Sequence, residues 1–548
     1  MSAPAHALPV TTGRGIPARS AAGLPAMLRL VWRRNRVRLL VWLLVIVGMY
    51  EYIAAYYTDT FTTQKSLDDF AALSATPGMK AITGLSDAAN TMGGAVWTKG
   101  WMTVVLALSI GIVFLVTRTG RADEETGRTE LLRSRVLGIH AYSVASWISY
   151  AILALLVGLG MTGVSVANHL DPDGTGIAGS LVLGGSVTGI GLVGLGVGAL
   201  AGQLAQTSRG ANALGSAILV GLYVVRMIAD LGTEGLSWLS PYGWGQRMQP
   251  YATNSWGPFA LMIALALVLL AAAWILESRR DYGVGLLPER LGKAGAPKRY
   301  ASPLGLALRL ERNAILGWTI AIALCGLMFG SVVESMTKLL DDAGPNVDAL
   351  LCGSGVTALV ARLVSMMALI TVIFALQTTV SLRGDEATGI IEPQLAGAVG
   401  RRRWSYERLL IPAVWSAVLL LIGGGFVGAV YGASIDDASQ GGRLALAALA
   451  YWPAVMVYVG LALVLWAFVP RISTPIAWAL MVATWFLTMF GEVFGIPDKV
   501  LDALPLAATP YLPFEEFSWT PILILMAVAL VLVVIGVEGF SRRDVKPA

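Results

Sequence analysis

The chain has 548 residues, of which 56% are hydrophobic and 13% charged, with a mean hydropathy of +0.69. Globular domains carry roughly 25% charged residues, so this composition excludes an ordinary soluble protein and points to a bundle of membrane-spanning helices. The net charge of +5 follows from topology, as the placement of the basic residues below makes plain, and is no sign of nucleic-acid binding.

Residues 1–24 are small and polar, with Arg14 and Arg19, and read as a flexible tail without a cleavable signal. Arginines among leucines over Leu28–Arg38, and again over Leu306–Asn313, suit an amphipathic helix lying in the inner interface. The plain alternative is a basic flank to a span. Twelve apolar segments are long enough to cross a membrane: roughly 37–57, 98–117, 144–166, 179–203, 211–231, 257–276, 314–337, 357–380, 408–432, 444–469, 473–493 and 521–539. An even number places both termini on one side. Most of the 39 Lys and Arg lie in the tails and loops of that side. Lys65, Lys80, Lys99, Arg247, Lys338, Arg443 and Lys499 lie on the other, and Arg226 and Arg362 within segments. The positive-inside bias therefore predicts cytoplasmic termini.

The chain repeats itself. Arg121, Asp123, Glu124, Thr126, Gly127 and Glu130 recur 262 positions on as Arg383, Asp385, Glu386, Thr388, Gly389 and Glu392, after the second apolar segment of each half. Ser278-Arg279-Arg280-Asp281 recurs as Ser541-Arg542-Arg543-Asp544, and Pro25-x-x-Leu28 as Pro303-x-x-Leu306. The predicted organisation is a tail (1–24), a first six-helix repeat (25–283), a cytoplasmic linker (284–302) and a second six-helix repeat (303–548). Six spans is an even number, so the repeats share one orientation. The predicted fold is all-α integral membrane, with 12 helices as two parallel repeats about a pseudo-twofold along the membrane normal.

The repeated loop has acids beside a Thr-Gly step, which suits a turn entering a short helix whose amino end favours carboxylates. Leu131, Leu132 and Val136 would give that helix an apolar face, with Pro393, Leu395 and Val399 in the second copy. A loop that only marked topology would need positive charge, so retained acids point to docking of another chain. Structural capping is the alternative. Six charges fall in the outer parts of spans: Glu51, Arg226, Asp230, Glu334, Arg362 and Glu492. They read either as an outer gate on a translocation path or as helix-end charges that pair or snorkel. Arg226 and Asp230 are spaced to pair on one helix face.

Eight glycines between Gly184 and Gly202 predict close helix packing. Trp238, Tyr242, Trp244, Tyr251 and Trp256 predict an interfacial aromatic belt. Cys325 and Cys352 set no disulfide framework, and His6, His140 and His169 are too scattered for a metal site. No phosphate-binding G-x-x-x-x-G-K-[ST], no HExxH and no nucleophile motif occurs, so the chain is not read as an enzyme.

An acid followed by Thr-Gly-x-x-Glu after the second span of a six-span unit resembles the cytoplasmic coupling loop of ABC-2-type permeases. Two such units fused in one chain resemble the actinobacterial permeases described as exporters of polyketide antibiotics, the tetronasin-type and multidrug efflux group. The resemblance covers nearly the whole chain. It implies a permease of the bacterial plasma (inner) membrane that exports hydrophobic drugs, antibiotics or lipid-like compounds. It also implies two copies of a separate ATPase subunit, which bind ATP and magnesium and dock on the loops at Arg121–Glu130 and Arg383–Glu392. No cofactor is expected in this chain. The alternative is a proton-coupled transporter of the major facilitator type, which shares the layout of two parallel six-helix repeats. Gly120-x-x-x-Glu124-Glu125-x-Gly127-Arg128 imitates that superfamily's loop but has an acid where a basic residue is expected.

Overall fold

Apolar runs in hydrocarbon must satisfy their own backbone groups, which leaves the helix as the open-chain solution. The computed structural model describes residues 22–343 and 355–544 except 85, 134–136, 172–175, 233, 282, 288–294, 296, 298–299, 301, 398 and 491–496. Its described residues are helices and turns, with no strand among them. The chain divides into two compact units, Met1–Leu291 and Gly292–Ala548. The first holds six long helices: α1 (Leu24–Thr60), α2 (Met92–Thr119), α3 (Ala141–Ala167), α4 (Ala178–Leu204), α5 (Ser208–Asp230) and α6 (Gly257–Arg279). The second holds α7 (Pro303–Ala343), α8 (Gly355–Ala387), α9 (Arg401–Ser434), α10 (Trp452–Phe468), α11 (Ser473–Phe490) and α12 (Trp519–Arg542). Among the described residues 11 helices are long and apolar enough to cross a membrane. The segment predicted at 473–493 is α11, whose apolar stretch Ser473–Leu487 is shorter than a full span.

The separate interfacial helices expected before the first span of each half are not there. α1 runs unbroken from Leu24 to Thr60 and α7 from Pro303 to Ala343. At 1.5 Å per residue α1 is about 55 Å long, against a hydrocarbon core of about 30 Å. The arginine-rich turns are thus an extension of the span itself. Their apolar side packs on protein, with Met27 and Val31 against Ala141 and Ala145 at the start of α3.

In the first unit α4 is central, packed against α2, α3, α5 and α6. Its glycines are what let it be so. A Cβ at Gly184 would lie 2.5 Å from the Gly158 carbonyl oxygen of α3, and one at Gly194 2.9 Å from the Ser109 backbone of α2. Gly202, in contrast, faces open space. At the start of α4, Asp171 accepts from the Gly179 and Ser180 amides at 2.8 and 3.3 Å and from the Ser180 hydroxyl. Removing this cap with Asp171→Ala is expected to lower stability by about 1–2 kcal/mol. The test is the unfolding midpoint of the purified protein in detergent, and an unchanged midpoint would show the cap to be dispensable.

Neighbours recur in the second unit. α1 packs on α3, α2 on α4 and α4 on α6, as α7 packs on α9, α8 on α10 and α10 on α12. The segment predicted as one span at 444–469 lies within one of the eleven, Ser439–Phe468, but its helix is interrupted. A short helix Ser439–Leu449 ends and α10 restarts at Trp452 with Pro453 in its first turn. Proline has no N–H and its ring clashes with the carbonyl four residues back, so it starts a helix and does not continue one. The short helix doubles back along α9, where Gly424 and Gly428 would otherwise meet the carbonyl oxygens of Leu444 and Gln440 at 2.3 Å.

The aromatic belt is only partly one. Tyr242 and Tyr251 are buried, and the Tyr242 hydroxyl lies 2.9 Å from that of Ser109 inside the bundle. The short helix Pro241–Gln246 that carries Tyr242 turns back into the unit, while Trp238 and Trp256 remain exposed.

Candidate functional site

Each repeated loop is a corner built by its Thr-Gly step. After α2, Gly120 breaks the helix, Arg121–Glu125 forms one further turn, and Gly127 takes φ +68° before the turn Arg128–Arg133. After α8, Gly389 takes φ +73° before Ile391–Leu395. This left-handed region favours glycine. The preceding threonine bonds back to the helix, Thr126 Oγ1 donating to Ala122 O and Thr388 Oγ1 to Gly384 O, both at 3.0 Å. Thr126, Gly127, Thr388 and Gly389 therefore have a local structural cause. The apolar face predicted from Leu131, Leu132 and Val136 lies outside the described side chains, whereas Leu395 and Val399 pack on the core of their unit.

Three of the acids, Asp123, Glu124 and Glu386, point inward. Asp123 is buried and accepts from Arg34 Nη2 of α1 at 2.8 Å and from the Tyr142 hydroxyl of α3 at 2.7 Å. Glu124 pairs with Arg280, just beyond α6, at 2.5 Å and with Arg121 at 2.9 Å. Arg121 is itself buried, donating to the carbonyls of Gln206 (2.7 Å) and Gly283 (2.9 Å). Glu125 receives the Ser208 hydroxyl at 2.7 Å and so holds the start of α5. In the second loop Asp385 pairs with Arg408 of α9. Glu386 is fully buried and meets Arg543 at 2.9 Å, the Trp466 indole N–H at 2.8 Å and Arg383 at 3.6 Å. What remains exposed is a rim: Glu125, Thr126, Arg128 and Glu130 in the first loop, and Gly384, Thr388, Ile390 and Glu392 in the second.

Arg280 and Arg543 were not singled out from the sequence as partners of these acids. The signal was present, because the Ser-Arg-Arg-Asp stretch recurs at nearly the same offset as the loop. What surrounds the two pairs has diverged. Gln203 accepts from Arg280 Nε in the first unit, where Trp466 of the second lies under Arg543 at 5.6 Å. Glu277, bonded to Ser143 at 2.6 Å and beside His140 at 2.9 Å, gives way to Phe540, stacked on Trp466 at 4.3 Å.

The charges predicted within spans have separate surroundings in each unit. Arg226 is fully buried and pairs with Asp230 at 2.7 Å, as the i, i+4 spacing predicts. It also donates to Gln246 Oε1 and to the carbonyl of Ala81, both at 3.0 Å. That arrangement ties the end of α5 to two neighbouring outer segments. Glu51 is exposed and accepts from Asn168 at 3.1 Å. In the second unit Arg362 lines a cavity with Tyr451, Trp485, Tyr511 and Glu515, where burial pushes the Tyr511 pKa above its ordinary value against the pull of Arg362. Glu334 is half-buried, and Glu492 lies outside the described residues. No group of three or more His, Cys, Asp or Glu placed to hold a metal occurs among the described residues.

The family described as multidrug efflux system permease Rv1217c, C-terminal domain, matches residues 300–541. The multidrug efflux system permease protein Rv1217c of Mycobacterium tuberculosis (strain ATCC 25618 / H37Rv) is 33% identical over 538 residues, covering 96% of this chain and 95% of that protein. Likeness of that extent runs through both units, the repeated loops and the helices that hold them, and so the chain belongs to the family of the multidrug efflux permease Rv1217c.

Proposed function

We propose that this chain is the permease of an ATP-driven exporter of hydrophobic drugs or lipid-like compounds, energised by two copies of a separate ATPase subunit. The relative's name supports drug efflux. The duplicated loop carries the coupling reading, because one recurring corner in each unit matches two copies of one partner. In this reading the protein sits in the bacterial plasma membrane with cytoplasmic termini, and its 12 helices form two parallel repeats. ATP and magnesium belong to the partner subunits. Docking falls to the exposed rims around Arg128, Glu130, Ile390 and Glu392, since Asp123, Glu124 and Glu386 are committed inside the permease. Closure of the ATPase pair would tilt the helices attached to each loop and open a path outward.

The test is capture of the tagged protein from native membranes with ATPase activity assayed on the eluate. An ATPase chain at two copies per permease is expected. Glu130→Arg with Glu392→Arg should cut that capture about tenfold or more, because reversing a rim charge sets like charges against each other. An eluate without ATPase would sink the proposal and direct attention to proton-coupled transport.

A further inference from the structure

One ion pair occupies the same place in both units, and it has outlasted its surroundings. Glu124–Arg280 joins the turn after α2 to the end of α6, and Glu386–Arg543 joins the last turn of α8, at the start of its loop, to the end of α12. The partner positions are 262 and 263 residues apart, nearly the offset at which the loop itself recurs. Around it Gln203 corresponds to Trp466, Glu277 to Phe540 and Tyr142 to Trp404. In the second unit the arginine now lies over the aromatic rings of Trp466 and Phe540 at 5.6 and 5.7 Å. A buried ion pair is weak evidence for stability, because desolvation offsets its attraction and well-packed apolar residues often do as well or better. The same pair thus sits among polar side chains in the first unit and among aromatic rings in the second. The retained charges call for another reason.

Geometry supplies one. α4 packs against both α2 and α6, and α10 against both α8 and α12. The ion pair bridges past that central helix, from the loop directly to the end of the sixth helix. We infer that Arg280 and Arg543 are positioning residues that latch each loop to the sixth helix of its own unit, so that a load on the loop moves α6 or α12 together with α2 or α8. The inference rests on the proposed docking role of the loops for its consequence, but not for its existence. The two latches carry unequal shares. The first loop is also held by Arg121 on Gln206 and Gly283 and by Glu125 on Ser208. In the second, Ala387 stands where Glu125 does, Arg383 meets Glu386 at 3.6 Å, and Asp385 pairs with Arg408, as Asp123 does with Arg34 in the first. The second loop therefore depends more on its latch.

Hydrogen exchange on the purified full-length permease reads the latch directly. Arg543→Met is expected to raise exchange over 383–392 about tenfold while the middle of α8 keeps its protection, the signature of a local opening. Arg280→Met should raise exchange over 121–130 by less. Loop protection unchanged in Arg543→Met overturns the inference. With the captured ATPase reconstituted in liposomes, Arg543→Met should keep ATPase binding but lower efflux per ATP about tenfold, within the range of mutational coupling effects. The exchanged pair Glu386→Arg with Arg543→Glu should recover most of that loss. Efflux that falls only in proportion to bound ATPase, with no recovery in the exchanged pair, assigns the residues a merely structural role and overturns the latch. A wild-type eluate without ATPase overturns the docking proposal alone, and the exchange readout still decides this one.

Discussion

Glu386→Ala is expected to destabilise the protein by about 3–5 kcal/mol, far more than any change on the exposed rim of the same loop. The carboxylate is fully buried, and removing it strands three donors at once: the Arg543 guanidinium, the Trp466 indole N–H and Arg383. Most of the loss comes from leaving a largely buried cation without its anion, not from the pair's own net worth. That distinction is testable. The double change Glu386→Leu with Arg543→Met removes both members of the closer pair and should be milder than Glu386→Ala, because of the two arginines only Arg383, at the longer 3.6 Å, loses its partner. Trp466 sits in the pocket and makes tryptophan fluorescence a convenient probe of thermal unfolding in detergent. If the single change leaves the midpoint within about 1 °C of wild type, against several degrees expected for such a loss, the pair is not closed as described.

Gly184→Leu is expected to cost most of the folded protein. The new Cβ would lie 2.1 Å from Thr162 Oγ1 and 2.5 Å from the Gly158 carbonyl oxygen. Thr162 can turn its hydroxyl away, but the Gly158 carbonyl is part of helical α3 and has nowhere to go. The approach is reciprocal, since a Cβ at Gly158 would meet Gly184 O at 2.4 Å. α3 and α4 must then separate along their whole crossing. Helices in lipid associate through such close packing and gain little from apolar burial, so about 3 kcal/mol or more is at stake. Gly202→Leu is the matched control, because that position on the same helix opens on space. Size-exclusion profiles of detergent extracts should show a monodisperse peak for Gly202→Leu and its loss for Gly184→Leu. Equal peaks would mean that the crossing is looser than these distances.

Much of the fold was legible because it rests on local pattern. Length and hydropathy located the long apolar helices, and small residues in α4 marked its crossings. The failures share a cause. The direction in which Asp123, Glu124 and Glu386 face depends on arginines 89, 156 and 157 residues away, and a charge pattern carries no such information. Exposed acids and inward acids look alike until their partners are placed. Tyr242 and Tyr251 misled for a similar reason, since an aromatic in an outer loop reads as interfacial until the loop is seen to fold back. The interruption at Pro453, inside a span that hydropathy did place, had a local signal that hydropathy alone passed over.

Translation meets each latch from one side only. Glu124 leaves the ribosome 156 residues before Arg280, and Glu386 157 residues before Arg543. At about 5–20 residues per second each acid waits roughly 10–30 s for its arginine. During that interval four long helices of the unit are synthesised, and the loop stays free to shift as they enter the bilayer. The first ion pair has all its parts before α8 exists. Each unit is thus fastened from behind, by its own last helix, and the first has its ion pair complete before the second is made.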